Sequence, residues 1–154
     1  MKQFEFYVEN FEKWHQDAEW MFQAHYDELS LDKDQVKMGL HYQRYLEMEV
    51  AGMLHIVTIR LSDGKMVGYY LAMILPHMHY KDAGLMAYTD MYFIHPDYRV
   101  GGVGAKLMVF VEETFRRRGV VKAYITTKLR LDLSPMFEAL GWKATDKVFT
   151  KFLR

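Results

Sequence analysis

Residues 90–107 constrain the fold more than any other part of the chain, because they read as a strand, a glycine-rich turn and the start of a helix. Tyr92, Phe93 and Ile94 are strong strand formers, and Pro96, which has no N–H group, ends strand pairing just after them. Three glycines then follow within four positions: Gly101, Gly102 and Gly104. Glycine adopts positive φ and lets a ligand approach the backbone, so this turn is predicted to be a binding loop or a tight connection.

The helix after the turn is predicted to run from about Gly102 to Arg118. Its buried face is defined by residues at helical spacing: Val103, Leu107, Phe110, Val111 and Thr114. The first N–H groups of a helix lack internal partners, and the helix dipole makes that end positive. Because Arg99 adds a further positive charge, the turn is predicted to bind an anion, and phosphate suits such a terminus.

The spacing of the glycines distinguishes between phosphate motifs. A dinucleotide turn needs G-x-G-x-x-G, but position 107 is Leu, and a P-loop needs Ser or Thr after the lysine, but Lys106 is followed by that same Leu107. The pattern R/Q-x-x-G-x-G/A is filled by Arg99, Gly102 and Gly104. It resembles the acyl-CoA pyrophosphate loop of the GNAT acetyltransferases, and residues 94–98 resemble the approach to that loop. The alternative is a turn that only connects strand and helix.

The composition predicts a single globular domain over residues 1–154, with 51% hydrophobic residues. Lys plus Arg and Asp plus Glu both number 20, a balance that argues against general nucleic-acid or membrane-surface binding. The sequence contains no Cys, which excludes a disulfide framework, a thiolate metal site and a Cys nucleophile. Neither a signal peptide nor a membrane span is recognisable, so a cytoplasmic protein is expected.

Residue periodicity predicts the element order β-α-α-β-β-β-α-β-α-β. Strands are predicted at 4–8, 54–61, 66–75, 85–94 and 120–127, with one or two more between 142 and 153. Helices are predicted after the N-cap Asn10, over 34–50, over 102–118, and after the N-cap Ser134. Three consecutive strands, two of them joined by a hairpin at Asp63–Gly64, indicate an α/β (α+β) class with a mixed, mostly antiparallel sheet.

This element order is similar to that of the GNAT fold from the first strand to the last, and residues 137–142 resemble the family's final helix. The resemblance implies an enzyme, an acetyl-CoA-dependent N-acetyltransferase in which a primary amine attacks the donor directly. The implied partners are acetyl-CoA and an amine acceptor, and homodimers are common in the family. The charge balance and the residues themselves predict no nucleic-acid, membrane or metal partner. The chain also resembles small members of the family that are encoded by phages.

The resemblance also implies roles for individual residues. The donor pyrophosphate would lie against Arg99, Val100, Gly101, Gly102, Val103, Gly104 and Ala105, and backbone N–H groups near Phe93 and Ile94 would hold the thioester carbonyl. Asp90 matches a strand position where several members carry Glu, and a carboxylate there can accept the proton of the attacking amine. The alternative for Asp90 is a structural carboxylate. By strand alternation, Tyr88 and Tyr92 are predicted to share its face.

The general acid is where the sequence departs from the family pattern. Phe137 stands where members often carry a Tyr that protonates the departing CoA thiolate. Ser134 or Tyr124 would then substitute, water would serve, or the thiolate, with a pKa of about 8.5, would leave unassisted. Another alternative is a non-catalytic CoA-binding or protein-interaction module. A third hypothesis is a protein that binds a nucleotide such as ATP or NAD through the same loop, and the glycine spacing disfavours it.

Two further clusters complete the set of candidates. His77 and His79 lie in a predicted loop but lack a convincing third and fourth ligand, so a metal site is not expected. In the family the two early helices line the acceptor groove. One or more of the aromatic residues in these helices would then determine which acceptor fits; the candidates are Trp14, Tyr26, Tyr42 and Tyr45.

Overall fold

A computed structural model describes residues 3–154. The strands are β1 (Phe4–Val8), β2 (Leu54–Leu61), β3 (Met66–Pro76), β4 (Leu85–Ile94) and β5 (Val120–Tyr124). The helices are α1 (Phe11–Leu29), α2 (Tyr42–Val50), α3 (Val103–Arg117) and α4 (Ser134–Ala139), with a 3-10 turn at Pro96–Tyr98. The strands form one sheet in the order β1-β2-β3-β4-β5, antiparallel except for the parallel pair β4 and β5. This confirms the predicted α/β class with a mixed, mostly antiparallel sheet.

Helices cover both faces of the sheet, and each face has its own apolar core. On one face α1 packs on the sheet through Phe11, Trp14 and Met21, with part of α2 beside it. On the other face α3 and α4 pack through Leu107, Val111 and Phe137. The neighbouring residues Ile56 and Val57 belong to different cores, as the two-residue period of a strand requires.

Local signals in the sequence set several boundaries correctly. The Asn10 side chain caps α1 by accepting a hydrogen bond from the Lys13 N–H at 2.9 Å. The hairpin glycine Gly64 has φ 89°, and Gly119, which follows the last turn of α3, has φ 78°. Both glycines occupy the left-handed region that other residues avoid, so these two turns follow directly from the residue type.

The second helix is shorter than predicted: α2 begins at Tyr42, whereas the sequence indicated a start at Asp34. Val36 and Met38 are each 47% exposed, so the intervening segment has little core to pack against. Isolated helices of this length are marginal without tertiary packing, and Gly39 weakens the segment further. The Tyr26 hydroxyl donates a hydrogen bond to the Val36 carbonyl at 2.7 Å, which holds the segment in an irregular path.

The end of the chain also differs from prediction. Residues 143–154 contain no strand in the described chain, although one or two strands were expected there. The adjacent residues Val148 and Phe149 are 72% and 89% exposed, so the segment lacks the buried face that would fix a strand register.

The start of α4 differs from prediction by one residue. Its N-cap is Leu133, and Ser134, which was predicted to be the N-cap, is the first residue of the helix.

The feature that positions the site is the divergence of β4 from β5. Their parallel pairing covers Leu85 to Tyr88 on β4 and ends at the pair Tyr88 and Tyr124, but β4 continues to Ile94. Side chains span the widening gap: the Thr89 hydroxyl donates to the Tyr124 carbonyl and the Tyr92 hydroxyl to the Thr126 carbonyl, both at 2.8 Å. The separation opens a cleft in the sheet.

Candidate functional site

The cleft has a volume of about 540 Å³ and brings together four parts of the chain. They are the second half of β4, the start of α3, the segment that follows β5 as far as Met136 in α4, and the last turns of α1. Seven of the residues predicted for the site line it: Asp90, Phe93, Ile94, Arg99, Gly102, Val103 and Gly104. The cleft therefore joins the glycine turn to Asp90 in one cavity.

Asp90 is the extra residue of a β-bulge. Leu71 on β3 pairs with Met91, but the next residue, Ala72, pairs with Thr89, so Asp90 has no partner on β3. A bulge breaks the alternation of side chains along a strand. As a result Tyr92 joins the core beneath α3 and α4, whereas Asp90 points to α2. The prediction that Tyr92 shares the face of Asp90 was therefore wrong, although both residues line the cleft.

The glycine turn exposes backbone donors at the start of α3. Gly102 is the N-cap residue with φ 69° and ψ 23°, and no side chain caps this end of the helix. Within residues 3–154, the N–H groups of Gly104 and Ala105 have no hydrogen-bond acceptor. A Cβ atom on Gly104 would lie 3.3 Å from the Met136 sulfur, so a larger residue there would crowd the cleft wall. The turn can therefore offer amides to an anion, as the sequence predicts.

Arg99 does not point its charge freely into the cleft. Its guanidinium makes a bidentate ion pair with Glu28 at the end of α1, with N···O distances of 2.7 and 2.5 Å. Its Nε donates to the Ile94 carbonyl at 2.8 Å. The Arg99 hydrogen bond lowers the pKa of Glu28, which keeps that carboxylate charged. Arg99 thus clamps the turn to α1.

Asp90 has a specific partner on α2. The Tyr45 hydroxyl donates a hydrogen bond to one carboxylate oxygen of Asp90. The Tyr45 ring is stacked on Phe11 with a centroid distance of 5.0 Å and an interplanar angle of 8°. Burial, followed by the bond to Asp90, raises the pKa of Tyr45, so the hydroxyl stays protonated. Asp90 itself is exposed, so its other oxygen can face a ligand.

His25 is a lining residue that sequence reasoning did not single out. Its ring stacks on Phe93 at 4.7 Å, and its Nδ1 lies 2.8 Å from the Tyr69 hydroxyl. Burial lowers the pKa of His25 to about 4, so the ring is neutral at pH 7. Helical spacing puts His25 on the face of α1 that carries the buried residues Trp14, Ala18 and Met21, and only the position of the cleft identifies it as a site residue.

Two residues predicted for the leaving-group end lie elsewhere. The Ser134 hydroxyl donates to the Asp132 carboxylate at 2.6 Å, and Ser134 does not line the cleft. Phe137 is 6% exposed and packs in the core against Tyr92 and Trp142. Phe137 has no hydroxyl and the Ser134 hydroxyl is directed to Asp132, so neither side chain donates a proton into the cleft.

No group of three or more His, Asp or Glu side chains within residues 3–154 is arranged to hold a metal ion. In that same part of the chain, no helix combines the length and the apolar character needed to cross a membrane. The groups that line the cleft are backbone amides, the Asp90 carboxylate, hydroxyls, the neutral His25 imidazole and the cationic side chains of Arg99 and Lys128.

The sequence profile of the acetyltransferase (GNAT) family matches residues 5–142. No curated protein matches the chain in sequence. Neither the family match nor the solved structures indicate a phage origin.

Three solved structures illustrate the similarity of fold. An acetyltransferase from Trypanosoma brucei superposes with a TM-score of 0.70 at 18% identity, covering 98% of this chain and 100% of its own. A transcriptional regulator from Bacillus halodurans gives 0.76 at 18% identity, with 98% and 100% coverage. Glucosamine-6-phosphate N-acetyltransferase from Arabidopsis thaliana gives 0.70 at 16% identity, with 97% and 99% coverage. The profile match, which spans most of the chain, identifies the protein as a member of the acetyltransferase (GNAT) family.

Proposed function

We propose that the protein transfers an acetyl group from acetyl-CoA to a primary amine by direct attack. The observation that carries the proposal is a single cleft with unpaired helix amides at one end and an exposed, hydrogen-bonded carboxylate at the other. Membership of the acetyltransferase family supports the reaction class. The identity of the amine is left to experiment, because the balanced charge of the chain favours no class of acceptor.

The donor would bind with its pyrophosphate at the turn formed by residues 99–105 and its thioester beside β4. Amides of α3 would meet phosphate oxygens. Beyond Tyr88, β4 has no ladder with β5. The His95 N–H donates to the Val67 carbonyl on β3, and N–H groups alternate sides along a strand, so the N–H of Ile94 faces the open side and is available to the thioester carbonyl, whereas that of Phe93 faces β3. A donor aimed at the developing oxyanion stabilises the transition state.

Asp90 would accept the proton of the attacking amine. The amine nitrogen forms a bond to the acetyl carbon, the carbon–sulfur bond then breaks, and the proton passes to the free oxygen of Asp90 directly or through one water. Tyr45 would hold the other oxygen and fix the orientation of the carboxylate. CoA would leave as the thiolate, which needs no protein acid near neutral pH because its pKa is about 8.5. The proposal therefore assigns no acid role to Ser134.

The test is turnover by the purified protein with acetyl-CoA and a panel of amines. Because the chain has no Cys, a thiol-reactive dye reports only the CoA that is released. Acceptor-dependent release above the hydrolysis rate supports the proposal. Release that does not depend on any amine, from a protein that binds acetyl-CoA, would contradict it.

A second candidate function is a CoA-binding module without catalysis. It is favoured by the core position of Phe137 and the engagement of Ser134 with Asp132, which leave no hydroxyl of α4 in the cleft. This alternative predicts binding of acetyl-CoA without turnover on any amine. Tight binding and amine-dependent thiol release by the same sample would reject it.

A further inference from the structure

The cations around the mouth of the cleft are not equivalent. Every donor nitrogen of Arg99 already has an acceptor: Nε meets the Ile94 carbonyl, and the two terminal nitrogens meet the two oxygens of Glu28. Arg130 is also committed, because one of its terminal nitrogens donates to the Glu28 backbone carbonyl. The two arginines thus hold the end of α1 and do not present free charge to a ligand.

Lys128 differs from both arginines. It follows β5 and lines the same cleft as Gly102 and Gly104. Its ammonium makes no hydrogen bond and no ion pair with any residue in the range 3–154, and the residue is exposed. It is close enough to His25, which lines the cleft, to act electrostatically on that ring. Lys128 is therefore an exposed cation, unpaired within the described chain, that lines the same cleft as the start of α3.

We infer that Lys128, and not Arg99, supplies the side-chain cation that binds the pyrophosphate of the donor. The inference rests on the proposed function, since it concerns the acyl-CoA site. An ammonium with no carboxylate partner binds phosphate without first breaking an ion pair, whereas Arg99 would have to give up a bidentate bond to Glu28. In this assignment Arg99 is a positioning residue that holds the turn, and the amides of Gly104 and Ala105 share the phosphate with Lys128.

The test compares binding of three acetyl thioesters by calorimetry: acetyl-CoA, acetyl-dephospho-CoA and acetyl-pantetheine, which lacks the pyrophosphate. Lys128→Gln is expected to weaken binding of the first two about tenfold, as loss of one charged hydrogen bond does, and to leave acetyl-pantetheine unchanged. The matched control is Lys122→Gln, which removes an exposed lysine that lies over the Tyr124 ring and outside the cleft lining. The control should bind all three as the wild type does.

A second variant separates the two cations. Glu28→Gln frees the Arg99 guanidinium, so a gain in acetyl-CoA affinity with no effect of Lys128→Gln would overturn the inference in favour of Arg99. If Lys128→Gln weakens binding of acetyl-CoA but not of acetyl-dephospho-CoA, the inference is also overturned, because Lys128 would then contact the 3′-phosphate and not the pyrophosphate. If the wild type binds none of the thioesters, the proposed function fails and the inference with it. If the wild type binds and Lys128→Gln matches it, only the inference fails.

Discussion

At the scale of single residues, Asp90 shows how a backbone irregularity decides the role of a side chain. The sequence identifies Asp90 as a candidate, but its alternation pattern puts Tyr92 on the same face. The bulge depends on the register of β3 against β4, where Leu71 and Ala72 pair with residues two positions apart. Sequence periodicity carries no sign of such an insertion. The Tyr45 contact, 45 residues distant in the chain, is equally invisible from the sequence.

Substitution of Asp90 tests the proton acceptor directly. Asp90→Asn is expected to lower kcat about a hundredfold, the usual contribution of a general base, with unchanged affinity for acetyl-CoA. Tyr45→Phe is the matched variant, because it keeps the ring on Phe11 and removes only the hydrogen bond. Its effect on kcat should be smaller. Steady-state thiol release measures kcat for both variants, and calorimetry measures their affinity for acetyl-CoA. An Asp90→Asn enzyme with wild-type kcat would refute the role of Asp90 as proton acceptor.

At the scale of elements, the glycine turn and α3 follow from the sequence, whereas other elements do not. Glycines at positive φ and a regular apolar face are local signals, so the strand, turn and helix over 90–117 are predicted nearly residue by residue. Segments 34–41 and 143–154 depend on a packing partner that the structure does not provide. The Arg99 ion pair joins residues 71 positions apart, and no local pattern reports it.

The start of α3 is expected to be the donor phosphate site, and a negative charge there should exclude the donor. Ala105 is the third residue of α3, a position where Glu is favourable to a helix. Ala105→Glu is therefore expected to fold normally and to weaken acetyl-CoA binding at least tenfold, because the carboxylate would repel the phosphates of the donor. Ala105→Gln introduces an uncharged side chain of the same shape as Glu and should weaken binding much less. Calorimetric titration and thermal unfolding measure the two effects. Equal affinities for the Glu and Gln variants would argue against a phosphate at this turn.

At the scale of the whole molecule, the core beneath α3 holds a neutral histidine. His55 is 2% exposed, and its Nε2 lies 2.9 Å from the Thr114 hydroxyl, which itself donates to the Val111 carbonyl. Nε2 must therefore carry the proton, and Nδ1 accepts from Arg118 at 3.2 Å. Burial first, and then the charge of Arg118, lower the pKa of His55 to about 4.

This pKa predicts how stability depends on pH. The unfolded chain protonates His55 near pH 6.5, and the folded protein does so only near pH 4, so the unfolded state binds more protons between these values. Stability should be full above pH 6.5 and fall toward pH 4, by up to about 3 kcal/mol for this one histidine. His25, with its pKa also lowered to about 4, adds to the same trend.

Urea unfolding at pH 7, 6 and 5 measures this dependence. The exposed His79 offers a control, because His79→Gln should leave the slope of stability against pH unchanged. A free energy of unfolding that stays constant from pH 7 to pH 5 would show that neither buried histidine is held neutral by the fold.

A calorimetric titration tests whether the cleft between β4 and β5 is a site for acetyl-CoA. Purified protein is titrated with acetyl-CoA, with ATP and NAD as controls for general affinity toward phosphates. We expect one site per chain, selective for acetyl-CoA, with roughly micromolar affinity. No binding by a folded sample, or equal binding of all three ligands, would contradict this assignment.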